Sequence, residues 1–354
     1  MRIQKFVALF VFLLMPSLVA AQFKPVAAPI PSFKEVTGPG SLFPALQRLP
    51  ADEDLAHFNY IVKEFFVSGT AQGKSGVGPL EGLPMRKMIL MGTSASAALL
   101  TAYLPAHLSY RTAGLQPIFD GFLPTSIGGE SPIMKVDVPL ILMPTMTEIV
   151  AGAATGNRYR RPDGDTIGDQ FRIYEVAGLA HNDSRINPVY DPDPCKYPVS
   201  RFPQGMGLSA GLERLIQWVD KGKVPPRATY VVVDNDLKND GSVLALDANG
   251  NPKGGVRNTY VDVPVNRYVS PNETKLPPIS NPSPLTAAAS VELFCSIAGY
   301  EMPLNPQQLK ALYKSKKDYQ SKVEQRANQL IKEGWLSPAY KDLILGDAAK
   351  VTLP

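Results

Sequence analysis

The sequence predicts an α/β fold in which a mainly parallel sheet is flanked by helices. Short apolar runs of strand length recur along the chain, at residues 87–91, 138–143 and 172–176. Helical patterns follow these runs, with small residues over 94–103 and one apolar face repeating every three or four residues over 208–219. Strands that alternate with helices are typical of a parallel sheet that is covered on both faces.

The composition indicates a globular protein and excludes a coiled coil, a helical repeat or a highly basic nucleic-acid binder. The 354 residues carry 36 Lys and Arg against 32 Asp and Glu, a net charge of +4. That balance is too even for a protein that neutralises many phosphates, so we expect no nucleic-acid partner. Hydrophobic residues make up 44% of the chain, enough to bury a core, and the 34 prolines predict long extended connections.

The N-terminal residues have the pattern of a secretory signal peptide. Arg2 and Lys5 precede an apolar run over residues 6–15, and small residues follow at the −3 and −1 positions of a cleavage site. The run is about half the length that a membrane-spanning helix needs. We therefore predict a cleavable leader over residues 1–21, a mature chain that begins at Gln22, a secreted or periplasmic location, and no membrane association after cleavage.

The rest of the chain divides into an extended arm and one large domain. Residues 22–54 are rich in Pro and Ala with little periodicity, and residues 55–354 form the predicted α/β domain. Within that domain, residues 229–284 indicate a small β and Pro-rich insertion, and residues 285–354 are helical. Asn305 followed by a proline is typical of the start of one of these helices.

The two cysteines, Cys195 and Cys295, are expected to form a disulfide bond. Export places them in an oxidising compartment, and two cysteines allow one bridge, which closes a loop of roughly 100 residues. The alternative is two unpaired, buried thiols. Neither cysteine lies beside a candidate base, so neither is expected to be a nucleophile.

The strongest candidate for a nucleophile is Ser94. It lies in a G-x-S-x-S stretch between the predicted strand 87–91 and the predicted helix 94–103. A serine on such a strand-to-helix turn can be held with its hydroxyl clear of the backbone, and the N–H of Ala95 can then donate to an oxyanion. The alternative is that Ser94 only caps the helix.

Three histidines are present, and His181 is the favoured base. It follows the predicted strand 172–176 on a loop at the carboxyl end of that strand, where open α/β sheets bind their ligands. His57 lies in an acidic N-terminal stretch and is expected to be a surface residue, and His107 is expected to be structural. The chain order of serine, acid and histidine is then the order of α/β hydrolases.

Glu148 is the favoured acid because it is expected on the loop after the strand 138–143. A carboxylate there can fix the histidine tautomer and stabilise the imidazolium. Three other acids remain as alternatives: Asp120, Asp183 and Glu175.

Several sequence blocks together resemble the secreted α/β-hydrolase domain family. They are the elbow at 92–97, the Y-E-V-A-G-x-x-H block at 174–181, the W-V-x-x-G-x-x-P-P helix end within 215–226, the D-x-x-G-N-x-x-G-G-x-R block within 246–257 with V-D-V-P at 261–264, and the stretch 64–71. The resemblance implies an α/β-hydrolase-like sheet and a serine hydrolase without cofactor or metal. It gives Ser94 the role of nucleophile, His181 that of base and Glu148 that of acid.

The chain departs from this family in front of the elbow. Only 15 residues join Ala71 to Lys87, where the family has several strands. We therefore expect an N-terminally shortened sheet of fewer than eight strands, with the strand that ends at Met91 near an edge and Ala95 as the one dependable oxyanion donor. Two functions follow as expectations: a secreted, esterase-like hydrolase of small-molecule esters, or a weakly active or inactive relative that serves as a binding or structural module.

Overall fold

The computed structural model describes nine parts of the chain, to which every structural statement below refers: residues 7–10, 87–109, 116–128, 133–154, 158, 160–185, 194–234, 243–275 and 287–354. The predicted arm at 22–54, the stretch 64–71 and the shortened segment in front of Lys87 lie outside these residues.

Five described strands form a parallel sheet, as the sequence predicts. In chain order they are β1 (Val7–Phe10), β2 (Met88–Thr93), β3 (Gly121–Thr125), β4 (Leu140–Leu142) and β5 (Phe171–Ile173). The strands lie side by side in that same order, and every neighbouring pair is parallel. All carboxyl ends therefore meet at one edge of the sheet, where the segments that follow β2, β4 and β5 come together.

Strand β1 lies inside the predicted leader. Its four residues pair with β2 in register, from Val7 opposite Met88 to Phe10 opposite Met91. With β1 in place, β2 is an inner strand rather than the expected edge strand. Cleavage before Gln22 would remove β1 and leave the corresponding edge of β2 without this partner.

Eight α-helices are described: α1 (Ala95–Ser109), α2 (Met146–Ala154), α3 (Gln204–Lys221), α4 (Thr259–Asp262), α5 (Ala287–Ala298), α6 (Pro306–Leu312), α7 (Lys316–Glu333) and α8 (Lys341–Lys350). A short 3-10 helix, Pro338–Tyr340, precedes α8. In the described chain, no helix is long and apolar enough to span a bilayer.

The sheet is buried on both faces. In β2, Ile89 and Met91 belong to one buried cluster, and Met88 and Leu90 belong to another. Because successive side chains of a strand point to opposite faces, the two clusters lie on opposite sides of the sheet. Helix α1 packs into the Met88 cluster, whereas α3 and the C-terminal helices pack into the Ile89 cluster. Such two-sided burial explains why the strands read as continuous apolar runs.

Strand β3 is the main element that the sequence analysis missed. It lies between β2 and β4 although it contains Pro124, which normally argues against a central strand. The proline has no N–H to donate, but its carbonyl still accepts from the N–H of Met143 at 3.0 Å. The predicted strands 138–143 and 172–176 are also shorter than expected, at three residues each in β4 and β5.

A small antiparallel addition is present after residue 229, as predicted, but one of its two strands lies within 285–354, the segment that is expected to be helical. Strands β6 (Asn266–Val269) and β7 (Tyr300–Pro303) pair with each other, and isolated bridges join 231 to 254 and 233 to 244. Cys195 and Cys295 form a disulfide bond across this region, with their Cα atoms 5.4 Å apart. Asn305 caps α6 with a reciprocal capping box, as its sequence indicates.

Candidate active site

Ser94 lies on a sharp turn between β2 and α1. Its φ angle is +58°, a left-handed conformation that is costly for a residue with a side chain. Its N–H donates to the carbonyl of Thr125 at 3.0 Å, which fixes the turn to the neighbouring strand β3. A Cβ on Gly92 would lie 2.5 Å from the carbonyl oxygen of Ser96, so the turn can form only with glycine at that position.

His181 lies on the loop after β5 and reaches the serine. Its Nε2 is 2.9 Å from Ser94 Oγ, and the side chain is 15% exposed. The preceding residues are held by the segment before α2, since the N–H of Met146 donates to the carbonyl of Leu179 at 2.8 Å. The loop thus brings an imidazole to the serine from three strands away, across β3 and β4.

Glu148 completes a hydrogen-bonded chain, but from a helix rather than from the predicted loop. Its Oε1 is 2.5 Å from His181 Nδ1, while its Oε2 accepts from the N–H of Thr145 at 2.7 Å and from the Thr145 hydroxyl at 2.6 Å. Glu148 lies in the first turn of α2, and its contact with the Thr145 N–H is that of a capping box. One carboxylate therefore closes the helix end and orients the imidazole.

These contacts keep the Glu148 carboxylate ionised. Burial alone would raise the pKa of Glu148, but the hydrogen bond and charge of His181 and the two hydrogen bonds from Thr145 outweigh it. The net result is a pKa below the ordinary value. An ionised carboxylate can only accept hydrogen bonds, so Nδ1 of the imidazole carries a proton and Nε2 is left to accept from the serine hydroxyl.

The three alternative acids are engaged elsewhere. Asp120 accepts from the N–H of Met88 at 2.7 Å at the amino end of β2, opposite to the edge that carries Ser94. Glu175 is 1% exposed and accepts from Arg158 at 2.5 Å. Asp183 accepts from the N–H two residues further along the chain. The structure brings only Glu148 of these four acids to His181.

Of the other histidines, His107 lies in the core and His57 lies outside the described residues. His107 is fully buried near the end of α1, edge-on to the ring of Phe122 at 4.8 Å between centroids. Its Nε2 is 3.2 Å from an oxygen of Asp137. This environment agrees with the structural role expected from the sequence.

The glycine-rich block near residue 255 supports the loop that carries His181. Val256 exchanges hydrogen bonds with this loop, donating to Glu175 at 2.7 Å and accepting from Ala177 at 3.1 Å. The side chain of Asn258 donates to the Ala177 carbonyl at 2.8 Å. Gly255 has a φ of +69°, and a Cβ there would lie 2.6 Å from the Glu175 carbonyl, so this close approach also requires glycine.

The proline pair at the end of α3 is held by strand β5 and the residue after it. Arg172, which is 1% exposed, donates from Nε to the carbonyl of Pro225 at 3.0 Å, and its guanidinium lies over the ring of Trp218. The Tyr174 hydroxyl donates to the carbonyl of Pro226 at 2.7 Å. The sequence blocks at 174–181 and 215–226 therefore contact each other directly.

Two residues that bond to the site were not predicted from the sequence. Thr145 could have been found, because T-x-x-E immediately after an apolar run is the signature of a capping box. Gln204 donates to the carbonyl of His181, but it is far from His181 in sequence and no motif marks it. Across the described segments, no group of three or more His, Cys, Asp or Glu residues is arranged to hold a metal ion.

Comparison with known families matches residues 72–345 to the alpha/beta hydrolase domain. The match covers well over half of the chain, and the protein belongs to this family. No curated protein and no solved structure matches the sequence significantly. The family and the parallel sheet together define the class of protein as an α/β hydrolase.

Proposed function

We propose that this hydrolase cleaves carboxylic esters with Ser94 as nucleophile, His181 as general base and acid, and Glu148 as the orienting acid. The observation that carries the proposal is the unbroken hydrogen-bonded chain from Ser94 Oγ through His181 to Glu148, with 2.9 Å and 2.5 Å between the bonded atoms. A serine on a strained turn, a base within hydrogen-bond reach and a third group that orients the base are the requirements of nucleophilic acyl transfer.

In the acylation step, Ser94 Oγ attacks the carbonyl carbon of the ester while its proton passes to His181 Nε2. The imidazolium that forms is stabilised by the ionised Glu148 carboxylate at Nδ1. Collapse of the tetrahedral intermediate breaks the bond to the alkoxy oxygen, and His181 returns the proton to that oxygen. The products of this step are the free alcohol and an acyl group on Ser94.

Deacylation repeats these steps with water. His181 takes a proton from the attacking water, and the second tetrahedral intermediate releases the carboxylic acid as the proton returns to Ser94 Oγ. In both halves, the negative charge on the carbonyl oxygen requires a donor. The N–H of Ala95 is suited to this role. Ala95 is the first residue of α1, and the first four N–H groups of a helix have no intrahelical acceptor.

Export is part of the proposal. The leader pattern over residues 1–21 supports it, and so does the Cys195–Cys295 disulfide, since disulfides persist mainly in oxidising compartments. N-terminal sequencing of the protein recovered outside the cytoplasm should read from Gln22. A chain that is recovered there with Met1 intact would contradict cleavage.

The second candidate is a weakly active or inactive relative that acts as a binding or structural module. It is favoured by the 15 residues between Ala71 and Lys87, which leave little chain for a second oxyanion donor before the elbow. Removing one such donor lowers turnover by roughly 10²–10³ in other enzymes. The two candidates differ in whether Ser94 reacts with an acyl or phosphonyl electrophile.

The test is labelling of the purified protein with a fluorophosphonate, combined with hydrolysis of p-nitrophenyl acetate. Ser94→Ala should abolish both, and His181→Ala should come close to it, because the two residues act as one unit. Glu148→Ala should cost less, since a poorly oriented imidazole is still a base. Ser96→Ala, two residues along the same turn, is the matched control and should keep both activities. Full hydrolysis by Ser94→Ala would overturn the nucleophile assignment, and no labelling of the wild type would favour the second candidate.

A further inference from the structure

The loop that carries His181 has no regular secondary structure between the end of β5 and α3 in its described part. Its shape therefore depends on hydrogen bonds from other segments. Ala177 is bonded by Val256 and Asn258, and Leu179 accepts from Met146. These contacts hold the residues that precede His181 and leave the backbone of the histidine itself to a different partner.

That partner is the side chain of Gln204. Its amide nitrogen donates to the carbonyl of His181 at 2.5 Å and to the carbonyl of Ala180 at 3.3 Å. In the described chain, it is the side chain that bonds to the main chain of His181. We propose that Gln204 is a positioning residue, which holds the His181 main chain so that the imidazole meets Ser94 and Glu148 together. This role rests on the proposed function.

Gln204 is suited to this task because its own position is fixed by a buried helix. It is the first residue of α3, whose Met206, Leu215 and Trp218 are at most 2% exposed. The start of α3 is also closely packed, since a Cβ on Gly205 would lie 2.8 Å from the hydroxyl of Tyr340. The amide thus connects an irregular loop to a rigid element.

The geometry of the site requires such a restraint. The imidazole of His181 must satisfy two bonds at opposite ends of the ring, to Ser94 Oγ at 2.9 Å and to Glu148 Oε1 at 2.5 Å. A change in the main-chain angles of His181 swings the whole ring, so the two bonds cannot both keep their geometry. Misplacement of a catalytic group by about 1 Å can cost on the order of 10²-fold in rate. Fixing the carbonyl on either side of the Ala180–His181 junction limits this motion.

The experiment compares Gln204→Ala and Gln204→Glu with Gln329→Ala. The Gln204→Glu side chain keeps its length but loses the N–H donors, and its charge would face two carbonyl oxygens. Gln329 is an exposed residue of α7 that donates to a glutamate at 2.8 Å, so Gln329→Ala removes a similar bond far from His181 in sequence. For ester hydrolysis we expect kcat to fall about tenfold in both Gln204 variants, with KM within about twofold of wild type. Gln329→Ala should match wild type.

A second measurement does not depend on turnover. The proton between His181 Nδ1 and the Glu148 carboxylate should give a downfield signal by NMR, which is assigned by its loss in His181→Asn. We expect Gln204→Ala to broaden or abolish this signal while the melting temperature shows a folded protein, and Gln329→Ala to retain it. If Ser94→Ala kept full hydrolysis, the proposed function would fail, and the proton signal would still decide the role of Gln204.

Two results would overturn the proposal. One is a Gln204→Ala variant that keeps both the wild-type kcat and the downfield signal. The other is that kcat and the signal fall only in proportion to the amount of unfolded protein. In that case both return to wild-type values at a temperature where Gln204→Ala is fully folded.

Discussion

Removal of the Cys195–Cys295 disulfide should destabilise the protein strongly. The bond closes a loop with a sequence separation of 100 residues. In the chain-entropy model, a loop of that length contributes about 4.7 kcal/mol. Because whole domains are stable by about 5–15 kcal/mol, the loss is a large fraction of the free energy of unfolding. With an unfolding entropy of about 2.1 cal/mol/K per residue, it corresponds to a drop in melting temperature of about 6 °C for this chain.

The same bond should also affect the active site. Cys295 lies in α5, and the carbonyl of Ile297 near the end of that helix accepts from the N–H of Asn182 at 3.1 Å. Asn182 is the residue after His181. Loosening α5 therefore removes a restraint from the histidine loop, and we expect activity to decline at temperatures below the main unfolding transition.

The assay is urea unfolding and ester hydrolysis by the oxidised protein and by a Cys195→Ala, Cys295→Ala double variant. Alanine is the suitable replacement, because both cysteines are at most 1% exposed and pack with Val199 and Ala298 in an apolar cluster. Wild type treated with a reductant should resemble the double variant. A double variant with the wild-type urea midpoint, in a preparation whose wild type contains the bond, would refute the reasoning.

Three further substitutions have definite expected outcomes. Gly92→Ala places a Cβ within 2.5–2.8 Å of backbone atoms, so it should lower the free energy of unfolding by at least about 1–3 kcal/mol and remove ester hydrolysis. Its control is Gly346→Ala in α8, where a Cβ would meet no atom within 4 Å. This change should raise the free energy of unfolding by up to about 1 kcal/mol, as measured in thermal melts. Thr145→Val removes one hydroxyl donor from the carboxylate of the proposed acid and should cost about 1.5–3 kcal/mol in urea unfolding, while a Thr145→Ser variant should stay near wild type. Burial raises the pKa of Asp347, but hydrogen bonds from Arg185 and Tyr260 lower this pKa below its ordinary value of 3.8. The ionised carboxylate therefore stabilises the fold above pH 3.8, and this stabilisation is lost as the pH falls through the lowered pKa. Asp347→Asn should therefore lower the urea midpoint at pH 7 and lose that effect at acid pH, below the lowered pKa of Asp347. Asp342→Asn changes an exposed residue of the same helix and should have little effect.

The sequence could identify the strands and residues whose signals are local. Strand β2 was recognisable because a short apolar run ends at a glycine and is followed by small residues that form a helix. Ser94 was recognisable because it follows this strand directly, and His181 because it lies on the loop after another predicted strand. Glu148 contacts His181, but from the first turn of α2 rather than from a loop, because Thr145 and Glu148 together form a capping contact at the start of that helix.

The features that the sequence could not show depend on contacts between distant segments. Strand β3 is defined by pairing on both sides, and its Pro124 makes the local pattern unlike a central strand. The role of Gln204 depends on where α3 begins in space relative to a loop more than twenty residues earlier. Neither contact leaves a periodic pattern that a single sequence can reveal.

The proposed acid and the proposed base are positioned in different ways, and this difference determines which of them a distant perturbation displaces first. Glu148 is oriented within four residues, by a helix cap that forms wherever α2 forms. His181 depends on partners from α2, α3, α5 and the block near Val256, which are spread over more than 100 residues. Perturbations in the C-terminal half should therefore disturb the histidine first, while the carboxylate stays in place. A variant can therefore keep the α2 cap at Glu148 and the turn at Ser94 and still lose activity, because His181 no longer connects them.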